Sequence, residues 1–88
     1  MDKKQYVLRR AAGVYWLLDI NQLGVPYKPP LRMNEMGAEI WRMLEQGNNR
    51  NQIVNLMSME YDADIELVEQ DVNEFLLQLE QYGVGKVQ

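Results

Sequence analysis

The run Pro29-Pro30-Leu31-Arg32-Met33-Asn34-Glu35-Met36-Gly37-Ala38-Glu39-Ile40-Trp41 carries a strand directly into a helix. Proline has no N–H to give to a ladder, so paired prolines are tolerated only at a strand start or on an edge. Residues 31–33 therefore read as a brief strand at the border of a sheet. Asn34 is a good helix N-cap, and Glu35 falls in the first turn, where the helix dipole favours an anion. Met36, Ile40, Met43 and Leu44 recur at helical spacing, with Trp41 on the flank, and Gly47 ends the helix. Gly37 and Ala38 are small enough to let this helix approach the sheet closely.

Towards the N-terminus, residues 6–10 read as a strand, Ala12-Gly13 as a turn and residues 14–20 as a second strand. Val14, Trp16, Leu18 and Ile20 share one face at period two, and that face is expected to be the buried one. Gly24, Pro26 and Pro29 make residues 21–29 a loop. Towards the C-terminus, Asn49 and Gln52 have capping-box spacing, and Ile53, Leu56, Met57 and Tyr61 form the apolar stripe of a second helix. Asp64 caps a third and longest helix over residues 65–82, which Gly83 ends. Its stripe is Val68, Val72, Phe75, Leu79 and Tyr82. Ile65 and Leu76 widen one shoulder, whereas Leu67 and Leu77 fall off the stripe. The order is β-β-β-α-α-α. It predicts one α+β domain over residues 1–88, in which a three-stranded antiparallel sheet is followed by three helices in a winged-helix-like arrangement.

Composition excludes much chemistry. The chain of 88 residues has no Cys, no His, no Thr and one Ser, Ser58. No disulfide framework, zinc ribbon or His-activated nucleophile can be assembled from it. Ser58 reads as a neutral surface residue on the second helix. Asp62, Asp64 and Glu66 alternate like the first ligands of a calcium loop, but Leu67 stands where the sharp turn needs Gly, and Asn73 where the loop needs Glu. These carboxylates are expected to polarise the start of the third helix, with no metal and no cofactor held by this chain. No h-region follows Asp2, Lys3, Lys4 and Gln5, and the longest apolar run is residues 14–18, so a cytoplasmic, membrane-free protein is expected.

The net charge of −4 is unevenly spread. Residues 1–50 carry eight Lys/Arg against five Asp/Glu, whereas residues 51–85 carry eight Asp/Glu and no cation. A winged helix that binds DNA brings its recognition helix beside phosphates. The third helix here bears Glu66, Glu69, Asp71, Glu74 and Glu80, which repel a duplex. An edge strand beside a long helix suits an extended peptide instead, which pairs with the free border of the sheet. Met33 and Met36, at the passage from strand to helix, either fill the core or adapt to such a guest, and the pair Tyr15-Trp16 is read as core. A self-associating assembly subunit is the third reading.

The ordered motifs resemble one known family. The segment Leu31-Arg32-Met33-Asn34-Glu35-Met36-Gly37-Ala38-Glu39-Ile40-Trp41 is similar to the L-x-x-N-E-x-G-A-x-I-W segment of PqqD-like proteins. Gly47 with Ile53-Val54, then Tyr61-Asp62-Ala63-Asp64, resemble their G-x-x-x-x-x-I-V and Y-x-x-D links. The run Asp71-Val72-Asn73-Glu74-Phe75-Leu76-Leu77-Gln78-Leu79 is similar to their D-V-x-x-F-L-x-x-L helix. The resemblance spans about residues 6–84. It implies a RiPP recognition element, a non-catalytic chaperone of peptide modification. Such a module binds the leader of a ribosomal precursor peptide as an added strand and presents it to a modifying enzyme, a radical SAM protein whose clusters are its own.

By position, the resemblance makes Leu31, Arg32 and Met33 the pairing strand, and Leu67, Val68, Asp71, Val72, Glu74, Phe75 and Gln78 the helix wall. Arg32 or Lys28 on one side and Asp71 or Glu74 on the other would select charges on the leader. The sequence departs from the commoner pattern at Met33, where the family has Leu, and Pro29-Pro30 shortens the pairing edge.

Overall fold

Two positive φ angles close the first hairpin. Strand β1 (Tyr6–Ala11) turns through Ala12 and Gly13, at φ 53° and 77°, into β2 (Val14–Asp19). A two-residue loop with both φ angles positive is the I′ turn, whose twist matches that of paired strands. The computed structural model describes residues 6–20 and 29–84. The expected loop over residues 21–29 falls outside them except at Pro29, and Lys28 is outside too. Strand β3 (Leu31–Met33) pairs antiparallel with β2, and the strand order is β1-β2-β3. Three helices follow: α1 (Glu35–Glu45), α2 (Arg50–Tyr61) and α3 (Ile65–Tyr82). The expected α+β architecture is the observed one.

The caps follow the side-chain chemistry. Asn34 Oδ1 accepts the Gly37 amide at 2.8 Å. Asn49 and Gln52 form a reciprocal capping box at 2.9 and 2.8 Å. Asp64 accepts the Glu66 amide, and Asp62 occupies the left-handed region at the end of α2, which a short polar side chain tolerates. Ser58 is half-buried and not a free surface residue, because its hydroxyl donates to the Ala63 carbonyl at 2.9 Å and ties the α2–α3 turn. Asn49→Ala is expected to cost about 1 kcal/mol. That lowers the melting temperature by about 4–8 °C in a domain of this size. A thermal melt followed by circular dichroism checks it.

The core lies between the inner sheet face and the helices, and it corrects the expected faces of four elements. On β2 the buried residue is Leu17, with Tyr15 packed against the core, while Ile20 is 57% exposed. Val14, Trp16 and Leu18 lie on the opposite, outer face. The register pairs Val7 with Leu18 and Arg9 with Trp16, so these side chains shelter one another without the core. On α1 the buried arc is Gly37, Ala38, Ile40, Trp41 and Leu44, and Trp41 is wholly buried instead of flanking. On α2 the buried residues are Ile53, Val54 and Met57, leaving Leu56 and Tyr61 exposed. Ile65 of α3 is exposed as well, whereas Leu76 packs against the core. The Tyr61 pKa is raised above its ordinary value, first by partial desolvation and then by the neighbouring Glu39 carboxylate.

Candidate functional site

Two tyrosines and one glycine decide where α3 stands relative to the edge strand. The Tyr6 hydroxyl donates to the Gly83 carbonyl at 3.1 Å, and the Tyr82 hydroxyl to the Pro29 carbonyl at 2.8 Å. The last turn of α3 is thus fastened beside the start of β3. The Val84 amide returns to the Leu79 carbonyl at 3.0 Å, and both side chains are buried, which fixes this end as a Schellman-type stop. Further back along α3, Phe75 meets α1 at Gly37, where an added Cβ would lie 2.7 Å from the ring. Because its end approaches residue 29 and its middle approaches residues 33–37, α3 runs antiparallel to β3.

A groove of about 800 Å³ opens between these walls. Its apolar floor is built from Met33, Met36, Ile40 and Phe75, with Gly37 between them. Arg32 stands on the strand side with Tyr15, the partner of Met33, and Val14 continues that side past the end of β3. Asp71, Glu74 and Gln78 line the helix side. Two guanidinium groups lie over the Tyr15 ring, Arg10 at 5.7 Å and Arg42 at 5.5 Å from its centroid. Small-molecule pockets run to roughly 300–1,000 Å³ but are largely enclosed. This one is a trough about half open to solvent, bordered by β3 and α3, a shape that admits a chain. The two walls also match in length. Three strand residues extend about 10 Å, and Asp71 to Gln78 advance about 10 Å along the helix.

Among the described residues, Arg32, Asp71 and Glu74 have no ion pair. Arg50 serves the far flank of α3, bonding Asn73 at 2.6 Å and lying 3.6 Å from Glu69. Asp62, Asp64 and Glu66 sit at the α2–α3 turn, and no group of three or more Asp, Glu, His or Cys suited to a metal occurs among the described residues.

The family model for Coenzyme PQQ synthesis protein D (PqqD) matches residues 29–84, which hold β3, the three helices and the groove residues these supply. The chain belongs to the PqqD family. A solved structure described as TbiB1 in complex with the TbiA(beta) leader peptide is similar to it, with a TM-score of 0.70 and 26% sequence identity. The match covers 88% of this chain and 84% of that one. No curated protein matches the chain.

Within this PqqD-family chain the residues singled out from sequence fall into four groups. Arg32, Met33, Asp71, Glu74, Phe75 and Gln78 line the groove. Val68 and Val72 are buried, at 2% and 0% exposure, and buttress the helix wall from behind. Leu67 is exposed one turn before Asp71 and extends the same helix face. Leu31 packs against the core beneath β3. Met33 contributes a buried side chain, so a Met33→Pro exchange would disturb the core as well as the ladder. Val14, Tyr15, Glu35 and Ile40 were not singled out as site residues. They come from β2 and α1, and only the packing of α1 and α3 onto the sheet joins them.

Proposed function

We propose that this protein captures the leader segment of a ribosomally made precursor peptide by adding it as a strand to β3, and presents it to a modifying enzyme. The observation that carries this reading is the β3 edge, unpaired by any strand among the described residues, with a trough of matching length along α3. Membership of the PqqD family and likeness to a leader-peptide complex support it. Backbone groups of residues 31–33 fix direction, and the apolar floor takes side chains of the guest. The chain acts without catalysis of its own, and works in the cytoplasm, where its precursor is made. Binding raises the local concentration of the distal part of the precursor at the enzyme's active site. On the family resemblance, we assign that enzyme to the radical SAM class.

The test uses fluorescently labelled peptides tiled over short reading frames encoded beside this gene. At least one is expected to bind with micromolar to nanomolar affinity, as an order of magnitude for an ordered peptide on a small site. In an antiparallel ladder, alternate residues turn their N–H and C=O groups to the free side. One of Leu31→Pro and Arg32→Pro therefore removes an outward donor and spares the β2–β3 ladder. That variant should keep the higher melting temperature yet bind about tenfold more weakly, since 1.4 kcal/mol is a factor of ten. Affinity unchanged by both prolines would exclude strand addition at β3.

A further inference from the structure

The two sides of the trough differ in charge, and strand geometry turns that difference into a sequence rule for the guest. Successive residues of a strand point to opposite faces. In β3, Met33 points into the core and Arg32 points to the outer face. The register sets Arg32 beside Trp16, and Trp16 beside Arg9, so one row across the outer face reads Arg9–Trp16–Arg32. A strand added beyond β3 extends this row, and its outward residue lies next to the Arg32 guanidinium, which has no ion pair among the described residues. Opposite charges facing each other across strands are favourable, and like charges are not.

Inward residues of the same guest meet the other sign. They descend onto Phe75, and beside it stand Asp71 and Glu74, neither of which has an ion pair among the described residues. These carboxylates are three residues apart on α3, about 5–6 Å between Cβ atoms. Inward guest residues are spaced at about 6.6–6.8 Å. One inward apolar residue over Phe75 therefore puts the next inward residue, two positions away, within reach of a carboxylate.

We infer that the groove selects an extended segment of alternating character: acidic where it faces outward beside Arg32, and apolar or basic where it faces inward over Phe75, Asp71 and Glu74. This rests on the strand-addition reading and adds a register to it. The need is physical. A ladder of three residues supplies few hydrogen bonds to distinguish one alignment from the next. A slip by one residue exchanges the two faces. Here such a slip would drive the guest's acidic residues onto Asp71 and Glu74 and leave its bases beside Arg32, so charge holds the alignment that the short ladder does not.

The test is a displayed library of random twelve-residue peptides panned against the intact chain. The best binder, its one-residue frame shift and its charge-swapped form are then synthesised and titrated. Enriched peptides are expected to carry acidic and basic residues at positions of opposite parity. The charge-swapped form should bind about tenfold more weakly at low salt, and the gap should narrow at 0.5 M NaCl, where screening is strong. The double variant D71K/E74K should enrich peptides whose inward positions are acidic, and R32E peptides whose outward positions are basic. Binders without charge alternation, or a charge-swapped form of equal affinity, would overturn the charge rule while leaving strand addition intact. A library that yields no binder, or binders indifferent to both β3 proline variants, would overturn both. The charge-swapped titration uses the unaltered protein, so it decides the matter even if a variant folds poorly.

Discussion

Trp41→Ala is expected to destabilise the protein by about 3–5 kcal/mol, the range for removing a large aromatic from a core. Trp41 has no exposed surface, and its ring meets Tyr6 edge-on at 6.1 Å and 79°. Tyr6 also bonds Gly83 at the end of α3, so Trp41 joins α1 to both ends of the fold. An 88-residue domain holds roughly 4–13 kcal/mol in all. The variant is thus expected to lie near its unfolding midpoint in dilute buffer if the wild type sits in the lower part of that range. Trp41→Phe gives the contrast. The indole N–H is buried without a hydrogen-bond partner among the described residues, and leaving such a group dry costs about 1–3 kcal/mol. Phenylalanine loses some packing but removes that penalty, so its cost should stay under about 2 kcal/mol. Urea titrations followed by far-UV circular dichroism measure both. A Trp41→Ala midpoint close to that of the wild type would show that the aromatic junction does not hold the three layers together.

The elements were legible in the sequence because their ends are marked by chemistry that acts locally. Pro29-Pro30, Asn34, the Asn49–Gln52 pair, Asp64 and Gly83 each act within one turn, and each does in the structure what its side chain predicts. The faces were less legible, and each error has a cause. In residues 14–20 both alternating sets contain large apolar side chains, and the set with Val14, Trp16, Leu18 and Ile20 is the more hydrophobic. Pairing, not hydrophobicity, decides: Leu17 faces Leu8 and Leu31 across the sheet, and all three contact the core. Trp16 is left on the outer face between Arg9 and Arg32, where long arginine stems shelter apolar surface. In α1 the middle of the buried arc falls at Gly37 and Trp41. Glycine gives no hydrophobic signal, so the pattern leaned towards Met36 and Met43, which are only half-buried.

The site divides along the same line. Asp71, Glu74 and Gln78 share one helix face, which spacing alone reveals, and all three line the groove. Their partners from β2 and α1 join them only through tertiary packing, to which no local pattern points. The charge asymmetry seen in the composition acquires a location in this way. The basic N-terminal half supplies Arg32, and the acidic C-terminal half supplies Asp71 and Glu74, to opposite sides of one trough.

The residue on which that trough most depends carries no side chain. A Cβ at Gly37 would lie 2.7 Å from Cε1 of Phe75 and 3.2 Å from Cβ of Met33. The first distance is too short for any real pair, and the second involves an atom fixed to the β3 backbone, so the Phe75 ring must yield. Inward it meets a filled core, with Val72 and Leu79 wholly buried, and the open direction is the groove. Gly37→Ala is therefore expected to push the ring into the space the guest would occupy. Two terms oppose each other in stability. Alanine gains about 1 kcal/mol of helix propensity over glycine, and overpacking costs about 1–3 kcal/mol. The net loss should be at most about 2 kcal/mol, leaving a folded protein whose affinity for a library-selected peptide falls at least about tenfold, equivalent to 1.4 kcal/mol. Adding Phe75→Leu removes the collision, so the double variant should be more stable than the sum of the single costs, by an interaction energy of about 0.5–3 kcal/mol. Peptide anisotropy and urea melts on the four proteins complete the cycle. If Gly37→Ala keeps wild-type affinity, the close passage of α1 against α3 does not shape the floor of the groove; if the two costs simply add, Phe75 is not the group that yields.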